Sequence, residues 1–395
     1  MADIFHIYAS QGRNNYAELD LPASDYEMLD LMERLRLEPG QLPYVEVLKV
    51  REQYDYLEKC IHELPDIYQL NALAKKLSEL TSTQDMAAFE GLVGKEIQQK
   101  SIPIALPRLI DFAYSTEGCV LADGAMTDFQ LGKFLVDNDF IEEANGLPES
   151  MIALLDFAKI GRERREAEGG VFTGFGYVEQ LSEVRNVSEN MDFQPQKPAY
   201  TILVNMAAIP LEGMIRQEDM VQLRLPAPEA QVRDAMDKLG ATDWYNVAVS
   251  IWDSPIPRLN HELNLSGEMP LILELAQRLS ELDERGEMLK YKAVLAMEDT
   301  KDLPRMLNLA GTLDEYLLET GVASPEDVAR DELSLVLCGQ DAETLIPHID
   351  LIGYGRALLE RDQASITGYG LIKRNPTQQV QNMEQNSAPE GMVMA

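Results

Sequence analysis

The sequence predicts an α+β protein built from two tandem copies of one unit, and three observations lead to this prediction. The segment Leu106–Ala113 returns in similar form at residues 303–310. Strand-like alternation and helix-like apolar stripes follow one another in the same order in both halves. The chain has 395 residues, of which 45% are hydrophobic. It is therefore too long for one ordinary core and apolar enough to fold into more than one.

The two copies and the segments that flank them have predicted boundaries. The first copy spans residues 1–185, and the second spans residues 199–374. Between them, residues 186–198 are polar and contain two prolines, which predicts a linker. Residues 375–395 are rich in Gln, Asn and Met, which predicts a disordered tail.

Each copy begins with a small mixed α/β unit. Alternation of apolar and polar residues predicts a strand at 17–21 and another at 221–225. A helix follows in both copies, since Ser24 and Glu27 have capping-box spacing and Pro228 is a favourable first helical residue. Further strands are predicted at residues 44–50 and 245–252.

A helical middle follows, and each copy then ends with a short helix and a Gly-containing hairpin, at 156–178 and 350–372. Apolar residues recur at helical spacing, and their positions match between the copies. The first stripe is Leu70, Leu73, Ala74, Leu77 and Leu80, matched by Ile272, Leu275, Ala276, Leu279 and Leu282. The next is Met86, Phe89, Leu92 and Val93, matched by Met288, Tyr291, Val294 and Leu295.

The composition is strongly acidic. Asp and Glu total 67 against 34 Lys and Arg, so the net charge is −33. Such a surface repels nucleic acid and favours either a basic partner or simple solubility. No signal peptide or membrane-spanning run is found, and three well-separated cysteines (Cys60, Cys119 and Cys338) predict reduced thiols. We therefore expect a cytoplasmic protein with no membrane partner.

The acid is densest in the same part of each copy. Residues 111–149 contain nine acids against Lys133, and residues 312–343 contain nine against Arg330. Carboxylates at helical spacing on one face can imitate the phosphate rows of a duplex, whereas a solvated helix face is the commoner fate of such runs. The candidate partner-binding acids are Asp111, Glu117, Asp123, Asp128, Asp137, Asp139, Glu142, Glu143, Asp314, Glu315, Glu319, Glu326, Asp327, Asp331 and Glu332.

No motif in the chain predicts catalysis. The four histidines lack metal-ligand spacing, and neither a nucleotide-binding loop nor a nucleophile elbow occurs. We therefore expect no enzyme activity, no cofactor and no metal. A carboxylate-only active site leaves no short signature, so that alternative stays open.

Three sequence features resemble a known family. The first is the opening segment around Asn15 and Tyr16, and the second combines Leu64-Pro65 with Leu70-Asn71. The third, which occurs twice, is an Asp followed by Gly-Arg and then by a hairpin. Its residues are Asp156, Gly161 and Arg162 in the first copy and Asp350, Tyr354, Gly355 and Arg356 in the second. With these features the chain resembles a double-length form of the ArdA-type antirestriction proteins of mobile genetic elements.

The resemblance implies an elongated, acidic DNA mimic that occupies the DNA-binding groove of type I restriction–modification enzymes. It also implies an intramolecular pseudo-dimer and leaves a further homodimer open. Leu273 stands where the second copy should have Asn, and Ile160 stands where the first should have an aromatic residue. Arg162 and Arg356 are expected to order the terminal hairpins. The alternative function is an acidic protein–protein adaptor without DNA mimicry.

Overall fold

The structure is mixed α/β, as the sequence predicts, and is consistent with the α+β class. The computed structural model describes residues 3–38, 40–99, 102–209, 215–216, 219–261, 267–337 and 344–375, and these residues form helices and small sheets. The predicted disordered tail lies outside the described residues, apart from Asn375. Cys338 and two acids of the second window, Asp341 and Glu343, also lie outside them.

The first half of the chain alternates strands and helices around a helical middle. Its strands are β1 (Phe5–Gln11), β2 (Asn15–Leu21), β3 (Tyr44–Val50), β4 (Cys119–Asp123), β5 (Val171–Phe172) and β6 (Gly176–Gln180). Its helices are α1 (Asp25–Leu35), α2 (Ile67–Glu79), α3 (Thr83–Gln99), α4 (Leu106–Ala113), α5 (Asp128–Asp137), α6 (Glu149–Ile152) and α7 (Phe157–Glu168).

The second half runs through nearly the same series of elements. Its strands are β7 (Ile202–Ala208), β8 (Val221–Leu225), β9 (Val247–Asp253), β10 (Tyr316–Glu319), β11 (Ser365–Thr367) and β12 (Gly370–Arg374). Its helices are α8 (Glu229–Leu239), α9 (Met269–Glu284), α10 (Met288–Glu298), α11 (Leu303–Gly311), α12 (Pro325–Val336) and α13 (Leu351–Arg361).

Sheet topology repeats as well. The strand order β2-β1-β3 of the first half returns as β8-β7-β9, and β4-β6-β5 returns as β10-β12-β11. The register agrees, because Leu121 pairs with Val178 and the equivalent Leu318 pairs with Ile372. The sequence repeat is therefore also a repeat of structure.

The predicted apolar stripes form the core. Every member of the two first stripes is buried, and Phe89 and Tyr291, which are equivalent in the repeat, are both fully enclosed. Burying a large apolar side chain contributes about 1.5–3 kcal/mol, so these stripes hold the helical middle together. The thiols of Cys60 and Cys119 are free and buried, as expected of reduced cysteines. None of the helices in the described ranges is long and apolar enough to cross a membrane.

The predicted strand at 245–252 begins two residues late. The Asp243 carboxylate accepts hydrogen bonds from the backbone N–H groups of Tyr245 and Asn246, which sets a short 3-10 turn there. Strand β9 starts only at Val247. An Asp side chain that accepts hydrogen bonds from nearby backbone N–H groups favours a turn. Tyr245 and Asn246 therefore lie in a turn, although the apolar–polar alternation of the sequence predicts a strand there.

The chain forms two compact units that do not follow the two halves completely. Unit 1 contains residues 1–9, 18–23 and 42–194, and unit 2 contains residues 10–17, 24–41 and 195–395. Helix α1 comes from the first half of the sequence but belongs to unit 2. The predicted linker is divided between the units, with Ser188 buried in unit 1.

A buried ionic cluster holds α1 in unit 2. The Lys292 ammonium on α10 lies 2.8 Å from Asp30 Oδ1 and 2.6 Å from Glu33 Oε2, both on α1. The Tyr369 hydroxyl donates to the same Asp30 oxygen at 2.9 Å. Lys292 and Asp30 side chains are only 4% and 6% exposed. Such a buried, hydrogen-bonded charge cluster fixes one arrangement of its partners, because any other would leave a charge unpaired.

Candidate functional site

The candidate surfaces are the two acid-rich windows, which we call acidic segment 1 (residues 111–149) and acidic segment 2 (residues 312–343, described to residue 337). Acidic segment 1 carries α5, which packs on α7. Acidic segment 2 carries α12, which packs on α13. Thr127 and Ser324 are the N-cap residues of α5 and α12. The side-chain oxygen of each accepts a hydrogen bond from a backbone N–H in the first turn of its helix. Both segments therefore present acids from a capped helix packed on a second helix.

The Gly of the repeated Asp…Gly-Arg motif is the contact point of each helix pair. A Cβ atom at Gly161 would overlap the backbone oxygen of Asp128, and one at Gly355 would overlap that of Pro325. Only glycine allows backbones to approach so closely. Gly132, which faces Gly161, is also small and buried, and the matching position of α12, four residues after Pro325, is the buried Ala329. The sequence analysis did not identify these two residues.

The Asp of the motif is a helix cap. Asp156 accepts a hydrogen bond from the backbone N–H of Lys159 at 3.0 Å, and Asp350 accepts one from Gly353 at 3.0 Å. An Asp at this position also interacts favourably with the positive end of the helix dipole. The motif thus has a structural role in both copies, and this role accounts for its repetition.

The Arg of the motif behaves differently from expectation. Arg162 lies 3.8 Å from Asp128, whereas its neighbour Arg165 makes the close pair, with distances of 2.8 and 3.3 Å to the two carboxylate oxygens. Arg356 is exposed, and the described part of the chain offers it no ion pair. Tyr354 is also partly exposed, at 36%. The residue that fastens α7 to α5 is therefore Arg165, which the sequence analysis missed.

One candidate acid is not at the surface. Asp111 is buried, and its carboxylate accepts the backbone N–H of Ser188 at 2.8 Å. It holds part of the predicted linker against α4, and its charge is not presented to a partner. We therefore withdraw Asp111 from the candidate surface.

Six further candidate acids have partners within the chain. Asp128 pairs with Arg165, Glu117 with Arg185, Glu315 with Arg374, Glu319 with Lys373 and Glu332 with Arg361, while Asp327 accepts N–H and O–H groups at the start of α12. Arg165 hydrogen bonds hold the pKa of Asp128 below its usual range. A paired acid carries less effective charge toward an external cation. These six are weaker candidates.

Eight candidate acids remain without a cationic partner among the described residues. All eight are exposed; three lie on α5 or α12, and the others lie in turns or at the end of β4. They are Asp123, Asp137, Asp139, Glu142 and Glu143 in acidic segment 1 and Asp314, Glu326 and Asp331 in acidic segment 2. Acidic segment 1 therefore presents more of these unpaired candidate acids than the described part of acidic segment 2.

Large apolar side chains lie among these acids. Phe129, Phe140 and Leu154 are 53%, 58% and 82% exposed in and just after acidic segment 1, and Leu335 is 81% exposed in acidic segment 2. Exposed apolar groups next to charges are common at protein–protein contacts. The surfaces thus combine charge with apolar contact area.

In the part of the chain that the structure describes, no three His, Cys, Asp or Glu side chains are grouped to hold a metal ion.

Compared with known proteins, the chain matches no protein-family profile and no curated protein sequence.

Proposed function

We propose that the protein is an ArdA-type antirestriction protein that acts as a DNA mimic. It competes with duplex DNA for the DNA-binding groove of type I restriction–modification enzymes in the cytoplasm of a cell that carries a mobile element. The observation that carries this proposal is the set of exposed acids without ion pairs in each acidic segment, each of which contains a helix packed on a second helix.

The physical argument concerns charge density and order. B-DNA carries about one negative charge per ~1.7 Å of axis. Acids three or four residues apart on a helix lie about 5–6 Å apart, so neighbouring helices and turns are needed to approach that density. A folded surface holds its carboxylates in place before binding. It therefore loses less conformational entropy on association than a flexible acidic tail would lose.

The net charge of the chain suits the basic groove that DNA mimicry requires as a partner. A chain with a net charge of −33 is drawn toward a basic groove, and association is accelerated by the same field. The proposal requires no cofactor and no chemical step. The two copies act as an intramolecular pseudo-dimer, and a homodimer of the chain is compatible with the same mechanism.

The family resemblance supports the proposal in a specific way. The motif Asp and Gly have the same two structural roles in both copies, as helix cap and as helix contact. The motif therefore shapes the helix pair that includes α5 or α12. In this way it links the family resemblance to the two acidic segments.

The test compares two variants with equal charge change. The first replaces the five unpaired acids of acidic segment 1 by amides: D123N, D137N, D139N, E142Q and E143Q. The matched control replaces five exposed acids elsewhere in unit 1: E46Q, E52Q, D55N, E58Q and E63Q. Each variant is titrated into a complex of a type I restriction–modification enzyme with labelled duplex DNA.

DNA mimicry predicts that the segment variant displaces DNA at least tenfold less well than the native protein, while the control stays close to it. Equal loss in both variants would mean that only net charge matters. No loss in either variant would refute the assigned surface.

A second candidate function is a protein adaptor that binds through its apolar side chains. The exposure of Leu154 and Leu335, both above 80%, favours this candidate. It predicts that L154S and L335S weaken partner capture from a host lysate while the five-amide variant retains it. The opposite pattern would favour mimicry.

A further inference from the structure

Unit 2 contains a cavity of about 830 Å³ that the proposed function does not use. It lies beside the C-terminal end of α1, the N-terminal end of α10 and the turn at residues 320–323, and every lining residue belongs to unit 2. Small-molecule sites in proteins are typically ~300–1,000 Å³. The cavity is therefore of a size suited to a small ligand.

Arg36, which lines this cavity, has a costly backbone conformation. It ends α1 with φ of 56° and ψ of 42°, in the left-handed region. The equivalent residue after α8 is Gly240, with φ of 63° and the same hydrogen bonds back to its helix. Glycine adopts this conformation without steric cost, whereas an arginine does not. A residue that bears such a cost in one copy, where the other copy has glycine, is a candidate for function.

The Arg36 side chain is also unsatisfied. Its Nε atom is buried and has no hydrogen-bond partner, and no ion pair to its guanidinium is present in the described ranges. Burial lowers the pKa of Arg36, opposed by the charge of Asp327. An unmatched buried donor costs free energy that an acceptor would restore.

The other cations of the cavity already have partners. Lys197 pairs with Asp283, and Lys292 pairs with Asp30 and Glu33. Among the described residues, Arg36 makes no ion pair, although the charge of Asp327 acts on it from a longer distance. Arg36 is thus the cation in the described lining of this cavity that is best placed to receive an external anion.

Half-buried apolar side chains line the space around Arg36. Leu29, Met32 and Leu37 come from α1 and the residue after its cap, and Met288 and Leu289 come from α10. Methionine side chains adapt to varied apolar shapes. The cavity therefore offers the Arg36 guanidinium beside an apolar wall. Its lining also includes the carboxylates of Glu33 and Asp283, which are paired with lysines, and of the exposed Glu38.

We propose that this cavity binds a small amphipathic anion, with its carboxylate or phosphate group on the Arg36 guanidinium and its apolar body against Met32 and Met288. Both groups match the planar, two-pronged donor pattern of arginine. The turn at residues 320–323 that lines this cavity belongs to acidic segment 2, but none of the eight unpaired acids lines the cavity, and its ligand takes no part in the proposed DNA mimicry.

The experiment uses the full chain and three probes with the same apolar body: octanoate, octyl phosphate and octan-1-ol. Calorimetry measures each affinity, and NMR of 13C-methyl methionine reports whether Met32 and Met288 respond. We expect at least one anion to bind tenfold or more tightly than octan-1-ol, with shifts at Met32 and Met288. The tighter of the two anions identifies the head group.

Two variants localise the effect. R36G installs the residue found at the equivalent cap, so it removes the guanidinium without disturbing the turn. R233A removes an exposed arginine on α8, which does not line the cavity. We expect R36G to lose the preference for the anions over octan-1-ol and R233A to keep it. Equal binding of all three probes, no binding, or unchanged anion binding by R36G would overturn the proposal.

Discussion

Substitution of Lys292 by methionine tests how α1 is held in unit 2. Methionine retains the apolar stem of lysine but removes the ammonium group, so it leaves little cavity. The Asp30 carboxylate, 6% exposed, would then lie buried with only the Tyr369 hydroxyl as a hydrogen-bond donor, while Glu33, at 37% exposure, can still be solvated. Removing one partner of a buried ion pair typically costs about 3–5 kcal/mol. We expect K292M to lower the free energy of unfolding by that amount.

The assay is urea denaturation followed by circular dichroism, with two comparison variants. K290M removes a cation two residues away on the same helix, and we expect a change below about 1 kcal/mol, as for other partly exposed charges. D30N combined with K292M removes both buried charges and should recover much of the loss, because an amide is cheaper to bury than a carboxylate. If K292M and K290M changed stability equally, or if the double variant were less stable than K292M, the reasoning would be refuted.

The other predictions concern the helix pair, the pH dependence and the ligand cavity. G161A should lower the free energy of unfolding by about 1–3 kcal/mol, because the added methyl group meets the backbone of Asp128. The control G311A, which has open space around the added methyl group, should not destabilise the protein. Equal changes in the thermal unfolding temperature of the two variants would contradict this. His6 lies 2.6 Å from Asp20 and 3.3 Å from Glu18, and its hydrogen bond to Asp20 is the main cause that raises its pKa above 6.5. The stabilising contribution of protonated His6 is therefore complete below pH 6.5 and is lost as the pH rises through the folded-state pKa. H6Q should be less stable than the native protein in mild acid and equally stable in mild base. A stability difference that grows with pH would contradict the assignment. R36G should be at least as stable as the native protein, since it relieves the strained cap, and a clear loss of stability on thermal unfolding would remove the argument from strain.

Much of the fold could be predicted from the sequence because it depends on local patterns. The stripe from Leu70 to Leu80 and its counterpart from Ile272 to Leu282 are buried as predicted, since helical periodicity fixes which face meets the core. The capping box of Ser24 and Glu27 is present with both hydrogen bonds. The repeat of element order was predictable because both copies carry these same local signals.

What the sequence did not reveal depends on distant contacts. Lys292 and Asp30 are 262 positions apart, so no local pattern indicates that α1 belongs to unit 2. Asp111 looks like any acid in an acidic run, yet a backbone N–H 77 positions later makes it a core residue. Arg165 and Arg162 are equally plausible from spacing, and only the packing of α7 on α5 selects Arg165.

The candidate surface was predictable as a region and less so as individual residues. Composition identified both acidic segments, but pairing with Arg185, Lys373 and Arg361 depends on which bases fold next to them. Among the described residues, the set of unpaired candidate acids is therefore smaller than the sequence suggested, with five members in acidic segment 1 and three in acidic segment 2.

The most direct test of the central claim is titration of the native protein into a type I restriction–modification enzyme bound to labelled duplex DNA, repeated across a salt series. Our account predicts near-stoichiometric displacement of DNA at low salt. It also predicts a steep loss of competition as salt rises, because many charge pairs form at once and are screened together. Failure to displace DNA, or displacement that does not depend on salt, would contradict DNA mimicry.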